Sequence, residues 1–141
     1  MQSVGREAFA DTAILNDLQE DVLVIGDWIV CVKNSTITDY RVPENVIGIA
    51  DMAFAECNIE SIRLDNIQYI GEAAFYYCPD LWEVIIGDQN IEIGPFAFCG
   101  CKYLRSVKLG NSLERIGDYA FIECEKLEDS GINLPQSLKV M

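Results

Sequence analysis

"IGEAAFYYCPDLWEVII", residues 70–86, joins two patterns that rarely share one stretch. An Ile-Gly opens it, an Ala-Phe follows, then a cysteine, then a short alternating β-branched run. The same order returns as "IADMAFAEC" ending at Cys57, "IGPFAFCGC" ending at Cys101 and "IGDYAFIEC" ending at Cys124, with a partial copy, "VGREAFADT", at residues 4–12. Phe9, Phe54, Phe75, Phe98 and Phe121 stand 45, 21, 23 and 23 residues apart. The period is near 23, and the long first interval reads as one coil plus an insertion.

Behind each cysteine comes Ile59, Leu81, Leu104 or Leu127, and then a short strand: Ile62-Arg63-Leu64, Val84-Ile85-Ile86, Val107-Lys108-Leu109 and Ile132-Asn133-Leu134. Alternation with period two turns the outer members of each triplet inward and the middle one outward. A turn leads to Val46, Ile67, Leu113 or Leu138, and Ile-Gly begins again. No single unit of this size buries its own apolar face, so successive units must stack. Equal positions then form ladders of phenylalanine, isoleucine and cysteine. Gly71, Gly94 and Gly117 mark tight turns or close approach of neighbouring coils, and Ala50 at the equivalent place argues against a need for positive φ.

The repeat resembles the BspA-like leucine-rich repeat of bacterial and some protozoan surface proteins. The family pattern I-G-x-x-A-F-x-x-C-x-x-L-x-x-V-x-I-P-x-S-V is matched from Ile49 to Leu138, and "VPENV" (42–46) and "LPQSL" (134–138) look like its Pro-containing turn. "LDNI" at 64–67 is one residue short, and "IGDQNI" at 86–91 brings its isoleucine one place late. The expected fold is an α/β-type repeat solenoid, a right-handed coil of about five repeats with a parallel sheet on one face. It forms a single domain over 1–141: a partial first repeat at 1–20, an inserted hairpin at 21–34 and regular repeats at 35–141. The resemblance implies a bacterial cell-surface or secreted protein that works by adhesion or contact.

"DVLVIGDWIVCV", residues 21–32, breaks the rhythm. It reads as two strands joined by Gly26-Asp27, the signature of a primed-turn hairpin. Such a ribbon caps a solenoid, and Trp28 either packs onto the first coil or stands exposed as an anchor. The last residues stop where another Ile-Gly would fall, which makes self-association through an uncapped C-terminal coil a further expectation.

Composition narrows the chemistry. With 23 acidic against 10 basic residues the net charge is −13, which repels nucleic acid and anionic membranes. The chain has no histidine, so Ser-His-Asp and Cys-His arrangements cannot form. No apolar run reaches the ~18 residues of a membrane helix, and residues 1–12 lack the basic and apolar regions of an export signal. No P-loop or dinucleotide fingerprint occurs, since the glycines belong to the repeat. No catalytic residue, cofactor or metal ligand is assigned. Four of the six cysteines (Cys57, Cys78, Cys101, Cys124) share one repeat position and read as small core hydrophobes. Their parallel Cβ directions suit a disulfide poorly. Cys99 should point away from the core, and Cys31 lies in the hairpin. "NST" at Asn34 matches a glycosylation sequon.

Recognition is what remains. The outward stripe Arg41, Arg63, Ile85, Lys108 and Asn133 runs beside Asp39, Ser61, Glu83, Ser106 and Gly131. These either pair across neighbouring strands or form a binding face for another protein. Tyr76, Tyr77 and Trp82, with Tyr103 one coil on, lie outside the core ladders and are candidate anchors. The candidate partner-binding residues are therefore Arg41, Arg63, Glu83, Lys108, Trp82, Tyr76 and Tyr77. A structural spacer segment of a longer repeat protein, with a uniform face, and a cytosolic acidic inhibitor or immunity-type protein that binds a basic partner, are the rival readings.

Overall fold

The computed structural model describes residues 21–128, 131–132 and 139–140. The expected half repeat at 4–12, and Asn133, Leu134 and Leu138, lie outside them. Ten strands occur among the described residues: β1 (Val22–Ile25), β2 (Trp28–Val32), β3 (Gly48–Ile49), β4 (Ser61–Leu64), β5 (Tyr69–Ile70), β6 (Glu83–Ile86), β7 (Glu92–Ile93), β8 (Ser106–Lys108), β9 (Arg115–Ile116) and β10 (Lys139–Val140). They form two sheets, in the orders β1-β2-β3-β5-β7-β9-β10 and β4-β6-β8. Every pairing is parallel except that of β1 with β2.

The smaller sheet is the one expected from the triplets. Ile62, Val84 and Val107 are in register and buried, as are Leu64 and Ile86, while Arg63, Ile85 and Lys108 form the outer row. Ile132 continues it through a parallel bridge to Val107. The larger sheet carries no periodic signal, because its rungs are two-residue strands at each Ile-Gly. Here Gly71, Gly94 and Gly117 each donate an N–H back to Ile49, Ile70 and Ile93 (2.9, 2.8 and 2.7 Å). None of the three has positive φ. Their role is closeness: a Cβ on Gly94 would stand 2.7 Å from the carbonyl carbon of Gly71. Ala50 is accommodated because the rung beneath it is hairpin strand β2, whose Ile29 accepts the Ala50 N–H at 2.8 Å.

The hairpin is therefore a rung as well as a cap. Gly26 has φ +62° and Ile25 faces Trp28 across a two-residue loop, as a primed turn requires. Trp28 and Ile29 pair in parallel with Gly48 and Ile49. Trp28 is buried, with its ring parallel to that of Tyr69 at 6.4 Å, so it is no exposed anchor.

A third side links the sheets, and among the described residues it is built without α-helix. The N–H groups of Met52, Phe54 and Glu56 donate to Glu72, Ala74 and Tyr76 of the next coil (2.9, 2.7 and 2.7 Å). Those of Ala73, Phe75 and Tyr77 reach Pro95, Ala97 and Cys99 (2.9, 2.7 and 2.8 Å). Spending alternate N–H groups on the next coil excludes the i→i−4 bonds of a helix. It also sets Met52, Glu56, Ala73, Tyr77, Phe96, Tyr119 and Glu123 at positive φ without glycine. The α/β wording of the sequence expectation thus becomes all strand and turn. Six rungs on the large sheet and four stacked phenylalanines bracket the expected five repeats.

The phenylalanines occupy the centre. Phe54, Phe75, Phe98 and Phe121 stack in order with centroids 4.9, 5.1 and 5.3 Å apart and planes within 5°. The first three are fully buried and Phe121 is partly so. Phe75→Ala removes a ring stacked on both faces and should cost about 3–5 kcal/mol, read as a lower urea midpoint at unchanged slope. Phe121→Ala, at a half-buried rung, should cost clearly less; equal losses would mean that the stack is not continuous.

Candidate interaction surface

The sheet β4-β6-β8 places Arg63, Ile85 and Lys108 side by side, with Ser61, Glu83 and Ser106 in the adjoining row. Arg63 and Lys108 are exposed, whereas Ile85 and Glu83 are half-buried. The cross-strand pairing of the two rows does not occur. Arg63 instead bonds Asp65, two residues on, at 3.3 Å with both side chains more than half exposed. Such a pair contributes little. Among the described residues no ion pair engages Arg41, Glu83 or Lys108.

Arg41 does not extend this row. Residues 39–43 form no strand, and a cavity separates them from β4. Arg41 and Arg63 therefore stand on its opposite walls rather than on neighbouring strands. A tyrosine at position 40 takes the place of Ile62, Val84 and Val107 of the later coils, and Pro43 has no N–H to donate.

Trp82 lies just before β6. Its N–H donates to Glu60 at 2.9 Å and its carbonyl accepts from Arg105 at 3.0 Å, so Glu60, Trp82 and Arg105 form one in-register row. Trp82 is 43% and Tyr103 51% exposed. With Asp80 and Arg105 they line a shallow hollow beside the sheet face. Arg105 was absent from the sequence-derived set; its row number, one coil beyond Trp82, was the available signal.

Tyr76 and Tyr77 lie elsewhere, on the turn side, with rings edge to face at 4.5 Å. Tyr76 is half-buried. Tyr77 works as a strut: a Cβ on Gly100 would stand 2.7 Å from its ring, and its hydroxyl donates to Glu123, 46 residues on. The structure thus groups Trp82 with Asp80, Tyr103 and Arg105, leaves Arg63 and Lys108 on the sheet row three residues further along, and separates Tyr76 and Tyr77 from both. Phe96, Tyr119 and Ile122 add further exposed apolar surface on that turn side.

The cysteine ladder is tied to the main chain of the phenylalanine spine. Cys78, Cys101 and Cys124 donate S–H to the carbonyls of Phe54, Phe75 and Phe98 in the preceding coil (3.1, 3.0 and 3.1 Å). Burial pushes the Cys124 thiol up to about 12, and the neighbouring Cys101 thiol together with burial holds Cys78 well above the usual range. Cys78 and Cys124 are therefore poor nucleophiles at neutral pH, while the hydrogen bond with Cys78 lowers the Cys101 thiol. Cys99 is buried too, but outside the main core cluster. Among the described residues no three Cys, Asp or Glu side chains gather as a metal site, and no helix is long and apolar enough to cross a membrane.

A coil of parallel rungs around an ordered phenylalanine spine defines a leucine-rich-repeat solenoid. Residues 29–141 match the BspA type leucine rich repeat region in six copies, and the chain belongs to that family. The match begins inside β2, in keeping with the hairpin's place as a rung. A leucine rich cell surface protein from Faecalibacterium prausnitzii is similar at 30% identity and TM-score 0.72, covering 79% of this chain and 30% of its own. A T. pallidum leucine rich repeat protein (26%, TM-score 0.76) covers 85% of this chain and 60% of its own. One from Bacteroides ovatus (28%, TM-score 0.59) covers 72% and 32%. The chain therefore spans between about a third and three-fifths of these relatives' lengths. Comparison with curated protein sequences gave no match.

The bond to Glu123 holds the Tyr77 phenol in its neutral form, raising its pKa to about 12. Because folding raises this pKa, the bond's contribution to stability is complete below the ordinary tyrosine range and is lost as pH rises through about 12. Ultraviolet titration of the folded protein should show Tyr77 ionising late, near pH 12, and Glu123→Ala should bring it down toward the ordinary tyrosine value. An unchanged curve would remove the strut.

Proposed function

We propose that this protein is a non-catalytic recognition module that binds another protein through the β4-β6-β8 face. The observation that carries this reading is the exposure of Trp82 and Tyr103 beside Arg105, at the margin of a sheet whose outer row carries Arg63 and Lys108. Large aromatics next to guanidinium groups are the usual anchors of binding hot spots. The setting adds weight, since Arg63, Arg105 and Lys108 are three of only ten basic residues in a chain of net charge −13. The partner surface is accordingly acidic around an apolar socket. Display outside the cell, in adhesion or contact, extends the reading; its support is the Faecalibacterium prausnitzii relative, described as a cell surface protein. A pure spacer fits less well, because the row Glu60, Trp82 and Arg105 is chemically different at each step.

Immobilised protein should capture a defined set of partner proteins from an extract of host tissue or neighbouring cells. Trp82→Ala should weaken that capture by about 2 kcal/mol, roughly thirtyfold. Arg63→Glu with Lys108→Glu should slow association and flatten its salt dependence. Tyr77→Phe, on the turn side, should change nothing. If all variants capture the same proteins equally well, the face is not the binding surface.

A further inference from the structure

The small sheet stops at β4 although the chain supplies a segment of matching length beside it. At one end the Thr38 carbonyl accepts the Glu60 N–H at 3.0 Å. At the other, the Glu44 carbonyl accepts Asn66 Nδ2 at 3.3 Å, with the same offset of 22 residues. Between these clamps residues 39–43 bow away, and a cavity of about 480 Å³ opens, lined among others by Asp39, Arg41, Glu44, Ser61, Arg63 and Asn66. Among the described residues no hydrogen bond crosses from β4 to that segment.

The direction of the β4 main chain follows from its other side. Glu60 and Leu64 present their carbonyls to the next coil, accepting from Trp82 (2.9 Å) and Gly87 (3.2 Å). In a trans peptide the C=O and the following N–H point opposite ways. Ser61 N–H therefore faces the cavity, and by alternation so do the Ser61 carbonyl and the N–H and carbonyl of Arg63. A donor and an acceptor at each of two residues with no partner among the described residues, at strand spacing, are the complement of another peptide main chain.

We propose that this cavity is a peptide-binding groove. It takes an extended segment of a partner protein, about five residues long, with an acidic side chain at its centre, by strand addition to β4. The length follows from the clamps, since Glu60 to Asn66 spans roughly 20 Å at about 3.3 Å per residue. The charge follows from position along the walls. Arg41 and Arg63 stand at the middle, while Asp39 lies toward one end and Glu44 and Asp65 toward the other, so a carboxylate is favoured at the centre, where it exchanges with Asp65 for Arg63, and not at the ends. Arg63 is held only by its exposed contact with Asp65 and is available to exchange partners. The groove is distinct from the Trp82 and Tyr103 hollow and goes beyond the reading above, so either can fail alone.

The test uses the full chain and blocked pentapeptides with threonine at the flanking positions and each amino acid in turn at the centre. Amide NMR should show the Ser61 and Arg63 N–H signals shifting for the Asp and Glu peptides ahead of all others. N-methylation of the peptide should abolish binding at alternate residues only, since half of its N–H groups face β4. Arg41→Gln should weaken the Glu peptide about tenfold, and Trp82→Ala should leave it unchanged. Three results overturn the proposal: no peptide moves the Ser61 and Arg63 signals at millimolar concentration, N-methylation shows no alternation, or Trp82→Ala removes binding. The last would place the peptide on the neighbouring hollow.

Discussion

The distance between one coil and the next governs this molecule. Parallel strands hydrogen-bond at about 4.8 Å, and the phenylalanine centroids follow at 4.9–5.3 Å with nearly parallel planes. A main-chain requirement and a side-chain requirement are met at one spacing. The energetic weights differ, however. Each non-glycine residue at positive φ costs about 1–2 kcal/mol, and for Met52, Glu56, Ala73, Tyr77 and Phe96 the coil-to-coil hydrogen bond from the N–H returns about 0.5–1.5 kcal/mol. The turn side is thus close to neutral by itself. The surplus comes from burying Phe, Ile and Leu, at about 1.5–3 kcal/mol for each large side chain.

That balance explains what the sequence displayed and what it hid. The phenylalanine ladder, the inward triplets and the Gly26-Asp27 loop were legible because each is written in residue types at fixed spacing. The seven-stranded sheet was not, since a two-residue rung has no alternation to read. Nor was the turn conformation: positive φ falls on Met52, Ala73, Phe96 and Tyr119 in successive coils, with no glycine at this position to announce it. Position in the repeat, rather than residue type, dictates the backbone there, because the N–H must reach the next coil.

The candidate surface was half legible for the same reason. Arg63 and Lys108 were found by alternation, and the structure leaves them on one row. Arg41 was assigned to that row on the assumption that every coil pairs as its neighbours do. The bowing of residues 39–43 breaks the assumption, and no composition rule marks it beyond the larger Tyr40 and the donorless Pro43. Tyr77 looked like an anchor because it lies outside the core positions. Its contact with Glu123, two coils on, emerges only when the spiral is closed. The cysteines gained a role that hydrophobicity does not suggest: each of three thiols satisfies a carbonyl of the phenylalanine spine one coil back.

A solenoid built this way separates folding from recognition to a degree that a globular domain does not. The groups that hold the coils together are main-chain bonds and inward side chains, repeated at every rung. The outward positions of β4, β6 and β8 contribute almost nothing to that lattice: Arg63 makes one exposed ion pair and Lys108 none among the described residues. Those positions are free to carry any chemistry, yet they are fixed in register by the strands beneath them. A charge or an aromatic ring placed there is held on a rigid row at little cost in side-chain ordering, and such pre-organisation is what turns contact area into affinity. The non-uniform rows Arg63-Ile85-Lys108 and Glu60-Trp82-Arg105 therefore differ in ways that the stacking of the coils does not require, and the recognition proposed above would draw on that difference.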